Sequence, residues 1–173
     1  MKQKTIIIFL VLVGVALSCR QVIKNRNELV TLSKRASYLT TTKEIKSKVA
    51  GPLEQMIMDA EKDGMCLVVI SAFRTKEYQA KLYANSDKIY VAFPGTSEHE
   101  KGIAVDFTAC PMSDGVRDDT VERPELANEF DTFPEYQWLV DNAYKYNFEQ
   151  SYTEDNVEET GFPTESWHWR FTK

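Results

Sequence analysis

Glycine and proline are scarce in this sequence, 7 and 6 among 173 residues, which excludes collagen-like and low-complexity designs. Long apolar runs are lacking too. The stretch from Ile6 to Leu17 has 12 residues, short of the ~20 that span a bilayer as a helix. Positive charge is missing where phosphate binding would need it: residues 49–173 carry 11 basic and 24 acidic side chains, a poor surface for nucleic acid. Internal repeats are absent. What remains, 43% hydrophobic residues, 12% aromatic residues and a net charge of −5, is the profile of one globular domain able to bury its own core.

The first 48 residues differ, with 10 basic and 2 acidic side chains, a balance that an anionic membrane surface attracts. Lys2 and Lys4 followed by the apolar run read as an export signal over residues 1–18. Ala16-Leu17-Ser18-Cys19 fits a small-x-small cleavage site or an approximate lipobox with Cys19 as a lipidated N-terminus, and the lipobox is favoured. An uncleaved anchor is the third version. All three place the body outside the cytoplasm, held at the membrane as a lipoprotein or secreted. Residues 19–42, polar and weakly periodic, read as a tether with a short helix over Leu29 to Leu39, and residues 43–173 read as the folded domain.

Within that domain, Ile45, Val49, Leu53, Met56, Ile57 and Ala60 fall at helical spacing, with a kink or fresh start expected at Pro52 and an end at Asp63-Gly64. Met65 to Ile70 predicts a buried strand, Thr75 caps a helix reaching Tyr83, and Ile103 to Phe107 predicts a second core strand. After an acidic loop at 111–132 come a helix over Phe133 to Tyr146 and strands near Phe148–Tyr152 and Trp167–Phe171. Short strands between helices of unequal length predict an α+β fold, a small, mainly antiparallel sheet with packed helices. With Cys19 in the leader, Cys66 and Cys110 form an even pair in an oxidising compartment. Antiparallel pairing of Ile70 with Asp106 would set them opposite each other for a disulfide; two buried free thiols are the equal alternative.

The only two histidines lie in Ser97-Glu98-His99…Gly102-Ile103-Ala104-Val105-Asp106 and in Glu165-Ser166-Trp167-His168. Asp106 interrupts an apolar strand, where an isolated carboxylate is costly to bury unless something positive faces it. Two imidazoles and a carboxylate suffice as three ligands for catalytic zinc, with the fourth position left to water. A salt bridge to Arg74 is the competing reading for Asp106. Gly102 permits a turn that returns His99 over the strand. In the last strand His168 and Arg170 share one face and Trp167, Trp169 and Phe171 the other, which predicts core tryptophans. Glu165 has the wrong strand parity and needs a bend near Pro163 or Ser166 to reach the site, where it suits a general base.

Ser71-Ala72-Phe73-Arg74…Glu77-Tyr78-Gln79, Ser97-x-His99-x6-Asp106 and Glu165-x-Trp167-His168 together resemble, in order and spacing over about residues 50–171, the VanY-like D-alanyl-D-alanine carboxypeptidases, zinc peptidases that trim peptidoglycan stem peptides. The resemblance implies that His99, Asp106 and His168 bind Zn2+ at the sheet face and that Glu165 is the catalytic base. It implies substrate contacts for Arg74, Gln79, Ser97 and Tyr152. The expected partners are stem peptides or lipid-linked precursors and the membrane surface, met by a monomer. Ala72-Phe73 replaces the family's usual Gly-Tyr, Ser166 a common Pro, and Ser151 an Arg, so pocket shape, and with it D,D or L,D preference, is open. A wall-binding lipoprotein of the same fold without activity is the alternative function. Arg74 could clamp a terminal carboxylate or stabilise an oxyanion.

Overall fold

The computed structural model describes residues 27–37, 42–110, 112–113, 116–117 and 129–173. The leader 1–18 and Cys19 lie outside the described residues. Strand β1 (Leu29–Thr31) pairs antiparallel with β2 (Glu44–Lys46), Val30 opposite Ile45. The helix expected over Leu29 to Leu39 is thus not formed in its described part. Leu32 and Ala36 lie in the main core and Ser37 bridges to Val69, so folded structure begins well before residue 43. Burying Leu32 and Ala36 against the sheet outweighs the weak helical pattern of this segment.

Ile45 belongs to β2 and not to the helix that follows. That helix, α1 (Ser47–Lys62), runs unbroken through Pro52 and buries Val49, Leu53, Met56, Ile57 and Ala60 on one face. Pro52, the sixth helical residue, forgoes one intrahelical hydrogen bond, and packing of the face from Val49 to Ala60 on the core carries the helix past it. Strand β3 (Leu67–Ser71) leads to α2 (Lys76–Asn85), capped as expected by the Thr75 hydroxyl, which accepts from the Tyr78 N–H at 3.2 Å. Strand β4 (Ala104–Ala109) is buried along its whole length. A two-stranded hairpin, β5 (Met112–Ser113) with β6 (Val116–Arg117), follows. Helix α3 (Pro134–Asn142) tightens into a 3-10 turn at Ala143–Tyr146 and leads to β7 (Phe148–Gln150). A short helix α4 (Val157–Thr160) precedes β8 (His168–Phe171).

The main sheet has the order β3-β4-β8-β7, every pair antiparallel, and α1 and α3 contribute to one core with its strands. The fold is α+β, as the pattern predicts. Cys66 and Cys110 are disulfide-bonded, Cα atoms 5.2 Å apart. The expected register holds up to Val69 opposite Phe107. There Ile70 occupies a β-bulge, so Ser71 and not Ile70 faces Asp106. Among the described residues no helix is long and apolar enough to cross a membrane.

Candidate metal centre and catalytic cavity

Three elements separated in the chain bring their polar side chains to one point at the sheet face. Asp106 sits in the middle of β4, directly opposite His168, the first residue of β8. His99 comes from the preceding turn, closed by the Gly102 N–H donating to the His99 carbonyl at 3.0 Å. Gly102 has φ +64°, and a Cβ there would meet Lys46 Cγ at 3.2 Å, so both conformation and close approach favour glycine.

His99 Nδ1 is 2.7 Å from the Ala72 carbonyl, so it carries the proton and leaves Nε2 with a lone pair. His168 Nε2 donates to Glu98 at 3.0 Å, which leaves Nδ1 free. The freed atoms meet: His99 Nε2 lies 3.1 Å from Asp106 Oδ1 and 3.1 Å from His168 Nδ1, and His168 Nδ1 lies 2.9 Å from Asp106 Oδ1. A tetrahedral ion with bonds of about 2.0–2.1 Å needs donors roughly 3.3 Å apart, so these three atoms fit a metal with only slight expansion. Tyr152 packs against His168, ring centroids 5.1 Å apart with the planes tilted by 32°, and limits the imidazole's freedom.

Glu98 is the residue that sequence reasoning missed. Its carboxylate takes hydrogen bonds from His168 Nε2, from Ser151 Oγ at 2.6 Å and from Arg170 Nη1 at 2.8 Å. Burial raises its pKa, but those three donors outweigh burial and hold it at about 2. A carboxylate behind a metal-binding imidazole orients the ring and raises its basicity. The available signal was its place beside His99, together with the serine at position 151.

Arg74 takes the competing partner: Nη2 meets Asp106 Oδ2 at 2.5 Å while Nε donates to Ser71 Oγ at 3.0 Å. The bulge at Ile70 is what brings Ser71 beside this pair. Asp106 therefore uses Oδ2 for Arg74 and Oδ1 for the histidines. Burial raises its pKa, but His99, Arg74 and His168 hold its carboxyl well below the ordinary range.

Glu165 reaches the site through the turn Glu165–His168, closed by the His168 N–H donating to the Glu165 carbonyl at 3.3 Å. This is the bend that strand parity required. Its Oε2 lies 4.0 Å from His168 Nδ1 and the residue is 4% exposed. Burial pushes its pKa up to about 7, with Asp106 and Glu98 adding to the rise and His168 and Arg74 opposing it.

All eight residues singled out from the sequence, Arg74, Gln79, Ser97, His99, Asp106, Tyr152, Glu165 and His168, line one cavity of about 70 Å3. Gln79 is buried and not on the helix surface; its amide N–H donates to the Ala92 carbonyl at 2.9 Å and its Oε1 has no partner. Ser97 Oγ accepts from the His99 N–H at 3.3 Å. Tyr90, Ala92, Phe162 and Trp167 also line the cavity and were not anticipated. Trp169, within the strand, is in the core as expected, while Trp167, in the turn before β8, is half-buried: it packs against that core and also lines the cavity.

The fold and donor set define an α+β domain with a buried His/Asp/His cluster able to hold a metal, and comparison with known proteins narrows it. The family described as VanY: D-alanyl-D-alanine carboxypeptidase matches residues 42–173. The chain belongs to this family. It is 31% identical over 150 residues to a D-alanyl-D-alanine carboxypeptidase of Enterococcus faecalis (strain ATCC 700802 / V583), an alignment covering 77% of this chain and 50% of that protein. The chain thus spans about half the length of such relatives. Among solved structures, VanYB in complex with D-alanine-D-alanine matches with a TM-score of 0.62 and 29% identity, covering 84% of this chain and 77% of that one. The LdcB LD-carboxypeptidase matches with a TM-score of 0.67 and 28% identity, covering 83% and 67%.

Proposed function

We propose that this protein is a zinc-dependent carboxypeptidase that removes a C-terminal D-alanine from peptidoglycan stem peptides or their lipid-linked precursors, D,D cleavage being favoured over L,D. The observation that carries the reading is the convergence of His99 Nε2, Asp106 Oδ1 and His168 Nδ1 beside the buried carboxyl of Glu165. The E. faecalis relative supports the D,D preference by its name, and LdcB keeps the L,D alternative in view.

Zinc held by these three atoms supplies Lewis-acid activation of the scissile carbonyl and of the attacking water. Glu165, with a pKa raised to about 7, is matched to accept a proton on a carboxylate oxygen and return it to the leaving amine near neutral pH. Arg74 spends Nη2 and Nε on Asp106 and Ser71, and its remaining N–H groups serve the substrate, at the terminal carboxylate or at the developing oxyanion. The unpartnered Gln79 Oε1 suits a substrate N–H, while Ser97 and Tyr152 complete the pocket wall. Residues 1–18 serve as the export signal and Cys19 as the lipid attachment point, with the segment up to Leu29 as the tether of a monomeric domain that works close to the membrane.

The experiment is to incubate the purified chain with muropeptides and weigh the products. Loss of one D-alanine from pentapeptides, abolished by a chelator and restored by zinc, is the expected result. Loss only from tetrapeptides would assign L,D specificity, and cleavage inside the peptide would overturn the exopeptidase reading.

A further inference from the structure

A groove of about 560 Å3 lies between the start of β2 and helix α2, with Lys43, Phe73, Tyr78 and Leu82 among its lining residues and Arg74 shared with the catalytic cavity. Its walls are apolar and its charge is positive. Lys43 and Arg74 line it against the single carboxylate of Glu44, and Arg74 is already paired with Asp106. Lys43 is half-buried, yet among the described residues its side chain makes no hydrogen bond or ion pair. Burial lowers its pKa, the nearby Arg74 charge adds to the fall and Asp106 opposes it, so the ammonium is desolvated without a counter-ion of its own. A cation so placed is short of the anion that normally offsets burial.

Helix α2 lacks a partner as well. It is 10 residues long and buries only Gln79, whereas a short helix owes most of its stability to an apolar face packed on something else. Tyr78 is 54% exposed at the groove, and Lys81, three residues further on the same side of the helix, is exposed too. The helix carries Lys76 and Lys81 against Glu77. In a domain where residues 49–173 have 11 basic and 24 acidic side chains, groove and helix together form a locally basic face. Lysines beside an aromatic ring with a polar tip are the composition that settles at a lipid–water interface.

The attachment of the chain turns this face toward the membrane. Strand β1 begins at Leu29, and its partner β2 begins at Glu44, which lines the groove. A random coil from Cys19 to Leu29 reaches roughly 18 Å. That is about half the breadth of a domain of this size, roughly 35–40 Å. A chain anchored at Cys19 therefore holds its β1–β2 side, and the groove with it, close to the lipid. We propose that this groove and the exposed side of α2 form a docking face for an anionic membrane surface, with Lys43 and Lys81 at the lipid phosphates and Tyr78 at the acyl boundary. The inference rests on the membrane-held placement proposed above and concerns a contact of the folded domain, separate from the anchor.

The test adds the full chain to vesicles of phosphatidylcholine, alone or mixed with phosphatidylglycerol, and follows amide hydrogen exchange by mass spectrometry. The α2 amides should be protected on the mixed vesicles and not on the neutral ones. Lys43→Gln and Lys81→Gln should each lower that protection about five-fold, the worth of one basic side chain at an anionic surface, while Lys43→Arg and Lys81→Arg keep it. Tyr78→Ser should lower it as well. Because Lys81 is exposed, its replacement reads the contact without disturbing the fold. Equal protection on the two vesicles, none on either, or protection that survives the double change Lys43→Gln with Lys81→Gln overturns the proposal. Protection that appears without vesicles as the chain concentration rises assigns the face to a second copy and overturns it too. Flotation with the neutral vesicles scores the anchor separately, so the loss of one reading is distinguishable from the loss of the other.

Discussion

Glu98 and His168 share a hydrogen bond from Nε2 to Oε2 at 3.0 Å, and this bond decides which imidazole nitrogen faces Asp106 and His99. Because Arg170 and Ser151 fix Glu98 from the other side, the imidazole orientation is set by residues 70 positions apart in sequence. Glu98→Ala should weaken zinc binding about 10- to 100-fold, the usual cost of removing such a support, and Glu98→Gln should cost less because it keeps an acceptor. Competition titration against a zinc-binding dye measures this. Wild-type affinity in Glu98→Ala would show that packing against Tyr152 alone orients the ring.

Glu165 carries a prediction on activity and another on stability. Glu165→Gln should retain zinc and lose turnover by several orders of magnitude, read from metal analysis and steady-state kinetics. In the metal-free chain the folded carboxyl has a pKa of about 7 against an ordinary 4.5. An acid raised on folding is ionised first in the unfolded state, so it destabilises the fold progressively as pH rises from 4.5 through 7. Glu165→Gln should therefore stabilise the chelated chain above pH 7, by up to ~3 kcal/mol at about 1.4 kcal/mol per unit, and change little near pH 4. Urea unfolding at the two pH values checks both the sign and the window. A stabilisation that is larger at low pH contradicts the burial argument.

Asp106 holds both a metal donor and Arg74, so its replacement has two consequences. Asp106→Asn should abolish tight zinc binding and also leave the Arg74 guanidinium, 20% exposed, without its anion. Breaking such a pair costs about 3–5 kcal/mol when buried, and less here because Arg74 reaches the cavity. The double substitution Asp106→Asn with Arg74→Met should recover much of the lost stability without recovering zinc. Zinc content by mass spectrometry and thermal unfolding separate the two effects; His168→Ala, which leaves Arg74 paired, should lose zinc with a smaller stability change.

The Cys66–Cys110 disulfide closes a loop with a sequence separation of 44, which includes α2 and the His99 turn. Loop-closure entropy assigns such a bridge about 4 kcal/mol. Replacing both cysteines by alanine should lower unfolding stability by about 2–4 kcal/mol while leaving the site's elements intact, measured by denaturant unfolding with and without reductant. Equal stability in both conditions would mean that the sheet alone constrains the loop.

Much of the site is legible in the sequence because its signals are local contradictions. A carboxylate in an apolar strand, two histidines beside carboxylates and a glycine at a required turn each point to buried polar chemistry, and Asp106, His99, His168 and Glu165 do meet. Segments with weak local patterns were less legible. Leu29 to Thr31 has too little helical or strand character to choose by itself, and pairing with Glu44–Lys46 chooses strand. The unbroken α1 shows the same override, since packing of Val49 through Ala60 on the core carries the helix past Gly51 and Pro52.

What the sequence by itself determined is the inventory and the spacing: the donor set, the strand that carries Asp106, the cap at Thr75 and the two cysteines that could meet. Only the tertiary structure decided orientation. The register of β4 with β8 brings His168 across from Asp106, the bulge at Ile70 sets Ser71 opposite Asp106, where its hydroxyl holds the Arg74 that pairs with that carboxylate, and the turn before β8 lets Trp167 line the cavity while it packs against the core. The physical reason is that hydrophobic periodicity specifies which face a residue takes within one element, whereas donor direction is a matter of a few ångströms set by hydrogen bonds between elements remote in the chain.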